Sequence, residues 1–191
     1  EFRRVLFRSP AQQRWWFLGC SGSGKTTWAR RVAAGCNLTH YELDGTFHQP
    51  GWTALSSEEM LLRTQEYAAG DAWVIDGNYS STRSVLATRP TVVIAMDLPR
   101  WRVMRQIVRR SLHRVMAREE LWNGNRESWK SLMSWNPETS VIRWAYSRWS
   151  QYHERTNWLA RYFAGTATHF YVVHSHAELR AILRRDFDLE F

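Results

Sequence analysis

The chain contains the stretch Gly19-Cys-Ser-Gly-Ser-Gly-Lys-Thr26, which matches the pattern G-x-x-x-x-G-K-[ST] at every fixed position. Glycines at these places let successive backbone N–H groups point inward around an anion. A helix that begins near Lys25 adds the positive end of its dipole. The stretch therefore predicts a loop that binds phosphate groups.

The residues around this loop support the same interpretation. Residues 14–18 form an apolar run typical of a buried strand, and residues 26–34 favour a helix that Gly35 ends. We expect Lys25 to reach the β- and γ-phosphates of ATP and the Thr26 hydroxyl to bind Mg²⁺. The predicted nucleotide-binding residues are Gly19, Ser21, Gly22, Ser23, Gly24, Lys25, Thr26 and Thr27.

Further apolar runs predict an α/β fold with a doubly wound parallel sheet of five strands. After the first strand the runs cover residues 40–43, 73–75, 91–96 and 168–173. Helices separate them, including one that opens with the capping-box pair Ser56 and Glu59 and a last one that opens with Ser175 and Glu178. Residues 45–55 are expected to form a loop.

Charged side chains fall at the carboxyl ends of the predicted strands, where ligands bind in such sheets. Asp76 is expected to hold the Mg²⁺ shell, and the alternative is a turn-forming Asp-Gly pair. Asp44 is expected to accept a proton from a phosphoryl acceptor or to help bind Mg²⁺, and the alternative is a capping role in its own loop. Arg83 is expected to reach an acceptor phosphate. Asp97 ends the fourth strand.

The helix after Pro99 is rich in arginine. Its apolar positions suggest a buried stripe of Trp101, Met104, Val108, Leu112 and Val115. That stripe leaves Arg105 and Arg109 on a flanking face, where we expect them to neutralise the transferring phosphoryl group. The alternative is a solvated charged face, which is the expectation for Arg114 and Arg118.

Length and composition narrow the class of protein. A chain of 191 residues suits a single α/β domain, and no apolar run approaches the roughly 20 residues of a membrane helix. Cys20 and Cys36 suit neither a disulfide framework nor a metal site, and a thiol inside the loop predicts a cytoplasmic location. The net charge of +8 comes almost wholly from arginine, which together with 12 tryptophans indicates G+C-rich coding. Nucleic acid is therefore possible as a partner but is not favoured.

Two segments stand apart from the predicted domain, which covers residues 10–191. Residues 1–9 read like the translation of a sequencing adapter, and we expect them to be an artefact. A polar and aromatic segment from about residue 118 to residue 136 is expected to act as a mobile cover within a lid of about residues 111–137.

The motifs together resemble those of the adenylate-kinase-like small P-loop kinases, and within that group the DNA topology modulation protein family. The resemblance is carried by Gly19–Thr26, by Leu43-Asp44 followed by Phe47-His-Gln-Pro-Gly-Trp52, by Val74-Ile-Asp-Gly-Asn-Tyr79, and by Asp97-Leu-Pro-Arg100 with Arg105 and Arg109. It implies strand order 2-3-1-4-5, ATP on the loop and a lid after Arg109. In adenylate kinases Phe-Pro-Arg follows the Asp-Gly pair and grips the acceptor nucleotide, whereas here Asn78-Tyr-Ser80 follows, so the acceptor stays open.

The sequence thus predicts an ATP-dependent P-loop kinase. It would transfer the γ-phosphoryl group to a small nucleotide-like or hydroxyl acceptor, with Lys25, Asp44, Arg105 and Arg109 as catalytic residues. The expected partners are ATP, Mg²⁺ and that small acceptor, with no membrane. The alternative is a nucleotide-dependent regulator or a nucleic-acid-associated NTPase.

Overall fold

A computed structural model describes residues 13–137 and 139–191, so the expectation about residues 1–9 lies outside the described residues. The strands are β1 (Arg14–Gly19), β2 (His40–Glu42), β3 (His48–Gln49), β4 (Thr53–Ala54), β5 (Trp73–Asp76), β6 (Val92–Met96) and β7 (His169–Val173). The helices are α1 (Lys25–Cys36), α2 (Leu43–Phe47), α3 (Ser57–Tyr67), α4 (Arg83–Leu86), α5 (Arg100–Met116), α6 (Trp129–Met133), α7 (Val141–Phe163) and α8 (His176–Phe187). None of the helices in the described ranges is long and apolar enough to cross a membrane.

Five of the strands form one parallel sheet in the order β2-β5-β1-β6-β7. The two-residue strands β3 and β4 pair with each other in antiparallel orientation and form a separate ribbon. Numbered along the whole chain, this order is 2-5-1-6-7, which differs from the expected 2-3-1-4-5. The expected order includes no strand within residues 45–55, where the structure has β3 and β4. The strand that leads into the glycine-rich loop is central in both.

The central strand is buried on both faces, as an apolar run in a parallel sheet requires. Trp15 and Phe17 of β1 belong to one core cluster, which α1, α5 and α8 complete. Trp16 and Leu18 point to the opposite face and belong to a second cluster with side chains of α3, α4 and α7. The alternation of side chains along β1 thus holds a helix layer on each face of the sheet.

Helix ends follow local hydrogen bonding, with two differences from the sequence prediction. Helix α1 runs through Gly35 and ends before Asn37, which adopts a left-handed φ of 55° and caps it. Ser56 and Glu59 form the predicted capping box at α3. At α8 only half of the predicted box forms: Ser175 accepts from the Glu178 N–H, but the Glu178 carboxylate accepts from the N–H of the preceding residue 174.

The buried face of α5 is not the predicted one. Val103, Ile107 and Val115 are buried, whereas Val108 and Leu112 are exposed. The helix carries two apolar stripes, and the sequence pattern favours the wider stripe because a serine at position 111 interrupts the one that packs on the core. The orientation of α5 about its own axis determines which of its arginines face the glycine-rich loop.

Parallel pairing places the sequence-predicted residues at one edge of the sheet. The glycine-rich loop follows β1, Asp76 is the last residue of β5, and Asp97 follows β6. The sequence predicts that Asp44 ends β2, but β2 ends at Glu42 and Asp44 lies two residues later, within α2. This short helix turns the Asp44 side chain back toward the loop.

Candidate active site

The loop connects β1 to α1, which confirms the predicted order of strand, loop and helix. Ser23 N–H donates to the carbonyl of Cys20 at 3.0 Å and closes the turn. Gly22 has a φ of 81°, in the left-handed region that favours glycine. A Cβ atom at Gly22 would lie 2.9 Å from the Cβ of Ile107, so α5 packs directly on the loop.

Lys25 and Asp44 form an ion pair beside the loop, with 3.5 Å between Nζ and Oδ2. The Tyr79 hydroxyl donates to the other carboxylate oxygen of Asp44 at 2.8 Å. Burial alone would raise the pKa of Asp44, but the charge of Lys25 and the hydrogen bond from Tyr79, assisted by His48 and Arg110, hold this pKa below its ordinary value. Asp44 is therefore an ionised carboxylate in a fixed position next to the lysine of the loop.

The pKa of Lys25 responds to the same neighbours. Burial alone would lower it, but the carboxylates of Asp44 and Asp76 raise it above its ordinary value. Both members of the ion pair are therefore charged at neutral pH. A positive charge stands where the sequence predicts the terminal phosphates of ATP.

Thr26 and Asp76 lie together, as expected of a site for Mg²⁺. The Thr26 hydroxyl donates to Asp76 Oδ2 at 2.5 Å, and the side chain of Asp76 is buried. Hydroxyl and carboxylate oxygens are the hard donors that Mg²⁺ takes together with nucleotide phosphates, so this pair fits the ion. Across residues 13–137 and 139–191, no cluster of three or more His, Cys, Asp or Glu could hold a metal by itself.

His40 is a neighbour of this pair that sequence reasoning missed. Its Nε2 atom lies 2.8 Å from Asp76 Oδ1, the carboxylate oxygen that Thr26 does not contact. A lone histidine on a strand gives no spacing signal. Its role follows only from the parallel pairing of β2 with β5, which is a long-range contact.

Asn78 binds the first glycine of the loop through both ends of its side-chain amide. Gly19 N–H donates to Asn78 Oδ1 at 3.0 Å, and Asn78 Nδ2 donates to the Gly19 carbonyl at 2.5 Å. The side chain thus continues the backbone pairing of the sheet beyond the end of β5. Because Tyr79 follows directly and holds Asp44, one dipeptide connects the loop to the carboxylate.

The structure does not place Arg105 and Arg109 beside the loop, although the sequence predicts that they neutralise the transferring phosphoryl group. Both side chains are exposed, and each lies about 160° around the helix from Ile107, the residue that packs on Gly22. Arg110 is on the correct side. Its guanidinium Nη2 donates to Ser21 Oγ at 3.2 Å, and its Nε is buried with no hydrogen-bond partner in the described part of the chain.

Arg114 lies one turn beyond Arg110 and is not the surface residue that the sequence suggests. Its side chain is 15% exposed and pairs with Glu127, with 3.0 Å between Nη1 and Oε1. Burial and the charge of Arg114 both lower the pKa of Arg110. Arg110 therefore stands beside the loop without a close carboxylate partner among the described residues, whereas Arg114, one turn farther along α5, has one.

Arg83, the predicted acceptor-binding residue, lies at the start of α4. Its guanidinium carbon is 6.0 Å from the centroid of the Trp158 ring on α7. Arg155, which the sequence does not single out, lies nearby on α7 and donates to the Asn78 carbonyl at 3.0 Å. The structure thus places Arg83 near the dipeptide that holds the loop and Asp44.

The predicted lid contacts the β3–β4 ribbon through two asparagine side chains. Asn123 donates to the His48 carbonyl at 2.7 Å, and Asn125 donates to the Gln49 carbonyl at 2.9 Å. Asn125 also accepts from Trp52 N–H at 2.9 Å. These contacts bring the segment over the side of the sheet edge that carries Asp44, and its role as a lid stays a prediction.

Comparison with known proteins supports the fold. The chain is similar to a shikimate kinase from Acinetobacter baumannii, solved in complex with shikimate, with a TM-score of 0.56 and 13% identity over 95% of each chain. A sugar kinase from Janibacter sp. HTCC2649, solved without ligand, covers 82% of this chain and 98% of its own at 22% identity, with a TM-score of 0.37 that is too low to add to the argument. No family model and no curated protein matches the sequence. The likeness to the shikimate kinase shows the fold, an α/β fold with a five-stranded parallel sheet.

Replacement of Asn78 by alanine tests whether its side chain holds the loop. We expect Asn78→Ala to lower the free energy of unfolding by about 1–3 kcal/mol, because the N–H and carbonyl of Gly19 lose their partners. Urea unfolding measures this change. Asn157→Ala is the control, since that amide is exposed and hydrogen-bonds an exposed histidine ring, and equal effects of the two changes would contradict the assignment.

The burial of Cys20 predicts that its thiol reacts slowly with alkylating reagents in the folded chain. Burial raises the pKa of the thiol from 9.0 to about 11, although the charge of Lys25 opposes the change. At pH 8 we therefore expect iodoacetamide to alkylate Cys20 at least about 100-fold more slowly in the folded chain than in urea, because only the thiolate reacts. Mass spectrometry of a Cys36→Ser variant measures this single thiol, and equal rates in both states would contradict the burial of the loop.

Proposed function

We propose that this protein is an ATP-dependent phosphotransferase that binds ATP on Gly19–Thr26 and transfers the γ-phosphoryl group to a hydroxyl of a small acceptor. The observation that carries the proposal is the ionised Asp44 carboxylate, 3.5 Å from the lysine of the loop. A loop that only binds nucleotide needs no such carboxylate beside its lysine. A kinase needs a group that orients the attacking hydroxyl toward the γ-phosphorus.

Residues around the loop would stabilise the transferring group by charge. Lys25 and Arg110 provide two cationic groups at the loop, and backbone N–H groups of residues 19–26 provide further donors. Thr26 and Asp76 would hold Mg²⁺, which when bound supplies charge neutralisation for the β- and γ-phosphates. Preorganised positive charge is the main catalytic contribution that phosphoryl transfer requires.

Asp44 would act on the acceptor. In the reaction the bond from the γ-phosphorus to the bridging oxygen of ADP breaks, and a new bond forms to the acceptor oxygen. The hydroxyl proton passes to Asp44 and then to solvent. Because the neighbours of Asp44 lower its pKa, it is a weak base, and its main contribution is to hold the hydroxyl in line through an accepted hydrogen bond.

The segment that contains Asn123 and Asn125 would close the site. Its contacts with the β3–β4 ribbon cover the side where Asp44 stands, and exclusion of water there would prevent hydrolysis of ATP in place of transfer. Arg114 and Glu127 connect this segment to α5 next to Arg110. Closure of the segment and placement of the arginines are therefore coupled in this proposal.

Substitution of the ion pair tests the proposal. The protein is incubated with ATP, Mg²⁺ and a panel of nucleosides, nucleoside monophosphates, sugars and hydroxy acids, and phosphorylated product is measured. We expect Lys25→Ala to abolish turnover and Asp44→Asn to lower kcat about 10²–10⁴-fold while the Kd for ATP stays near that of the wild type. Normal turnover by Lys25→Ala would refute the site, and a loss of ATP affinity without loss of transfer in Asp44→Asn would refute the role of the carboxylate.

A matched pair on α5 tests which arginine acts at the loop. We expect Arg110→Gln to lower kcat about 10²–10³-fold, because it removes a cationic donor beside the terminal phosphate. Arg105→Gln should leave kcat unchanged, since this exposed side chain lies on the far side of the helix. The opposite order would show that α5 turns its other face to the nucleotide.

The same pair separates the kinase from the alternative of a nucleic-acid-associated NTPase. The observation in favour of that alternative is the exposed row of Arg105 and Arg109 on α5. A protein that holds duplex DNA through such a row loses affinity steeply between low and moderate salt. If Arg105→Gln weakened tight, salt-dependent DNA binding while no acceptor were phosphorylated, the alternative function would replace the kinase.

A further inference from the structure

Two arginines from different elements lie next to the dipeptide that holds Asp44. Arg155 of α7 donates to the Asn78 carbonyl at 3.0 Å. Arg83 of α4 lies against Trp158, one turn along α7 from Arg155, with 6.0 Å between its guanidinium carbon and the ring centroid. Burial and the positive charge of Arg83 both lower the pKa of Arg155, so the two guanidinium groups are within electrostatic range of each other.

The positive charge of this arginine pair is not compensated within residues 13–137 and 139–191. No carboxylate of these ranges lies within 4.0 Å of either guanidinium. Six other arginines of these ranges do have such a partner, for example Arg30 with Glu42. Two like charges that interact in a half-buried place repel each other, and a bound anion removes that cost while it gains charge-assisted hydrogen bonds.

The arginine pair is on the acceptor side of the site. Asn78, whose carbonyl binds Arg155, is bonded directly to Tyr79, whose hydroxyl donates to Asp44 at 2.8 Å. Tyr152 lies one turn before Arg155 on α7 and interacts electrostatically with Asp44 and Lys25 as well as with Arg155. The pair is therefore connected to the reacting groups through the Asn78–Tyr79 dipeptide, and Tyr152 interacts with both.

We propose that Arg83 and Arg155 bind an anionic group of the acceptor, a carboxylate or a phosphate, while the acceptor hydroxyl meets Asp44. This inference rests on the proposed function and narrows the substrate class to small hydroxy acids or phosphorylated small alcohols. The planar guanidinium fork suits both anions because each offers oxygens to parallel N–H donors. A neutral sugar or nucleoside leaves the positive charge of the arginine pair without a counter-charge and is disfavoured.

Binding of simple anions to the nucleotide-loaded protein tests the subsite. The full chain is saturated with Mg²⁺ and AMP-PNP, a non-hydrolysable ATP analogue, so that the loop is occupied, and is then titrated with inorganic phosphate or acetate in a calorimeter. We expect one anion site in the wild type. Arg155→Gln and Arg83→Gln should each weaken it about tenfold or more, because each removes a charge-assisted hydrogen-bonding group.

Further variants exclude a merely structural role for the arginine pair. Arg155→Lys keeps the charge but loses the fork, and we expect an intermediate loss of anion affinity. Without anion, Arg83→Gln should melt at the same or a higher temperature than the wild type, because it removes like-charge repulsion. Arg63→Gln, on the exposed face of α3 and paired with Glu66, is the control that should bind anions like the wild type.

The outcomes separate the subsite from the proposed function. Failure of AMP-PNP to bind overturns the proposed function, and the subsite with it. Binding of AMP-PNP without any anion site overturns the subsite alone, as does anion binding that neither Arg83→Gln nor Arg155→Gln weakens. Preference for phosphate over acetate identifies a phosphorylated acceptor, and the reverse preference identifies a hydroxy acid.

Discussion

The close packing of α5 on the phosphate loop determines the arrangement of charge around the site. With no side chain at Gly22, the helix lies against the loop through Ile107, and no larger residue fits between them. Once that contact exists, the helical repeat of 3.6 residues decides the direction of every other side chain of α5. Arg110 turns toward the loop, Arg114 pairs with Glu127 one turn farther along, and Arg105 and Arg109 turn to solvent.

The acceptor side depends on a series of hydrogen bonds between groups far apart in sequence. Asn78 holds the start of the loop, Tyr79 holds Asp44, and Asp44 pairs with Lys25. In a half-buried site, each of these polar groups is costly unless it has a partner, and the partners here orient one another. Both members of the ion pair are thus held in position: the loop positions Lys25, and the hydroxyl of Tyr79 positions Asp44.

Local patterns were readable from the sequence, and long-range choices were not. Gly19–Thr26 is a contiguous motif whose chemistry follows from its own residues. The strands β1, β5 and β6 are continuous apolar runs in the sequence, and such runs indicate buried strands, as the structure has them. The buried face of α5 depends instead on which of its two apolar stripes packs on the core. The sequence pattern does not indicate the correct stripe, because Ser111 interrupts it. His40 and Arg155 gain their roles from contacts across 36 and 77 positions of sequence, which no periodicity encodes.

The contacts of Asn123 and Asn125 with the β3–β4 ribbon have a consequence for how the protein can change. Both asparagines donate to main-chain carbonyls, those of His48 and Gln49, and the amide of Asn125 accepts from a main-chain N–H. Hydrogen bonds to the backbone persist when the side chain at the same residue is replaced. Substitutions can therefore change the side chains of the ribbon, and with them the shape of the surface that faces a substrate, while the hydrogen bonds to Asn123 and Asn125 remain. Because the backbone hydrogen bonds stay the same while the side chains can be replaced, one fold can acquire new substrate specificities by single substitutions.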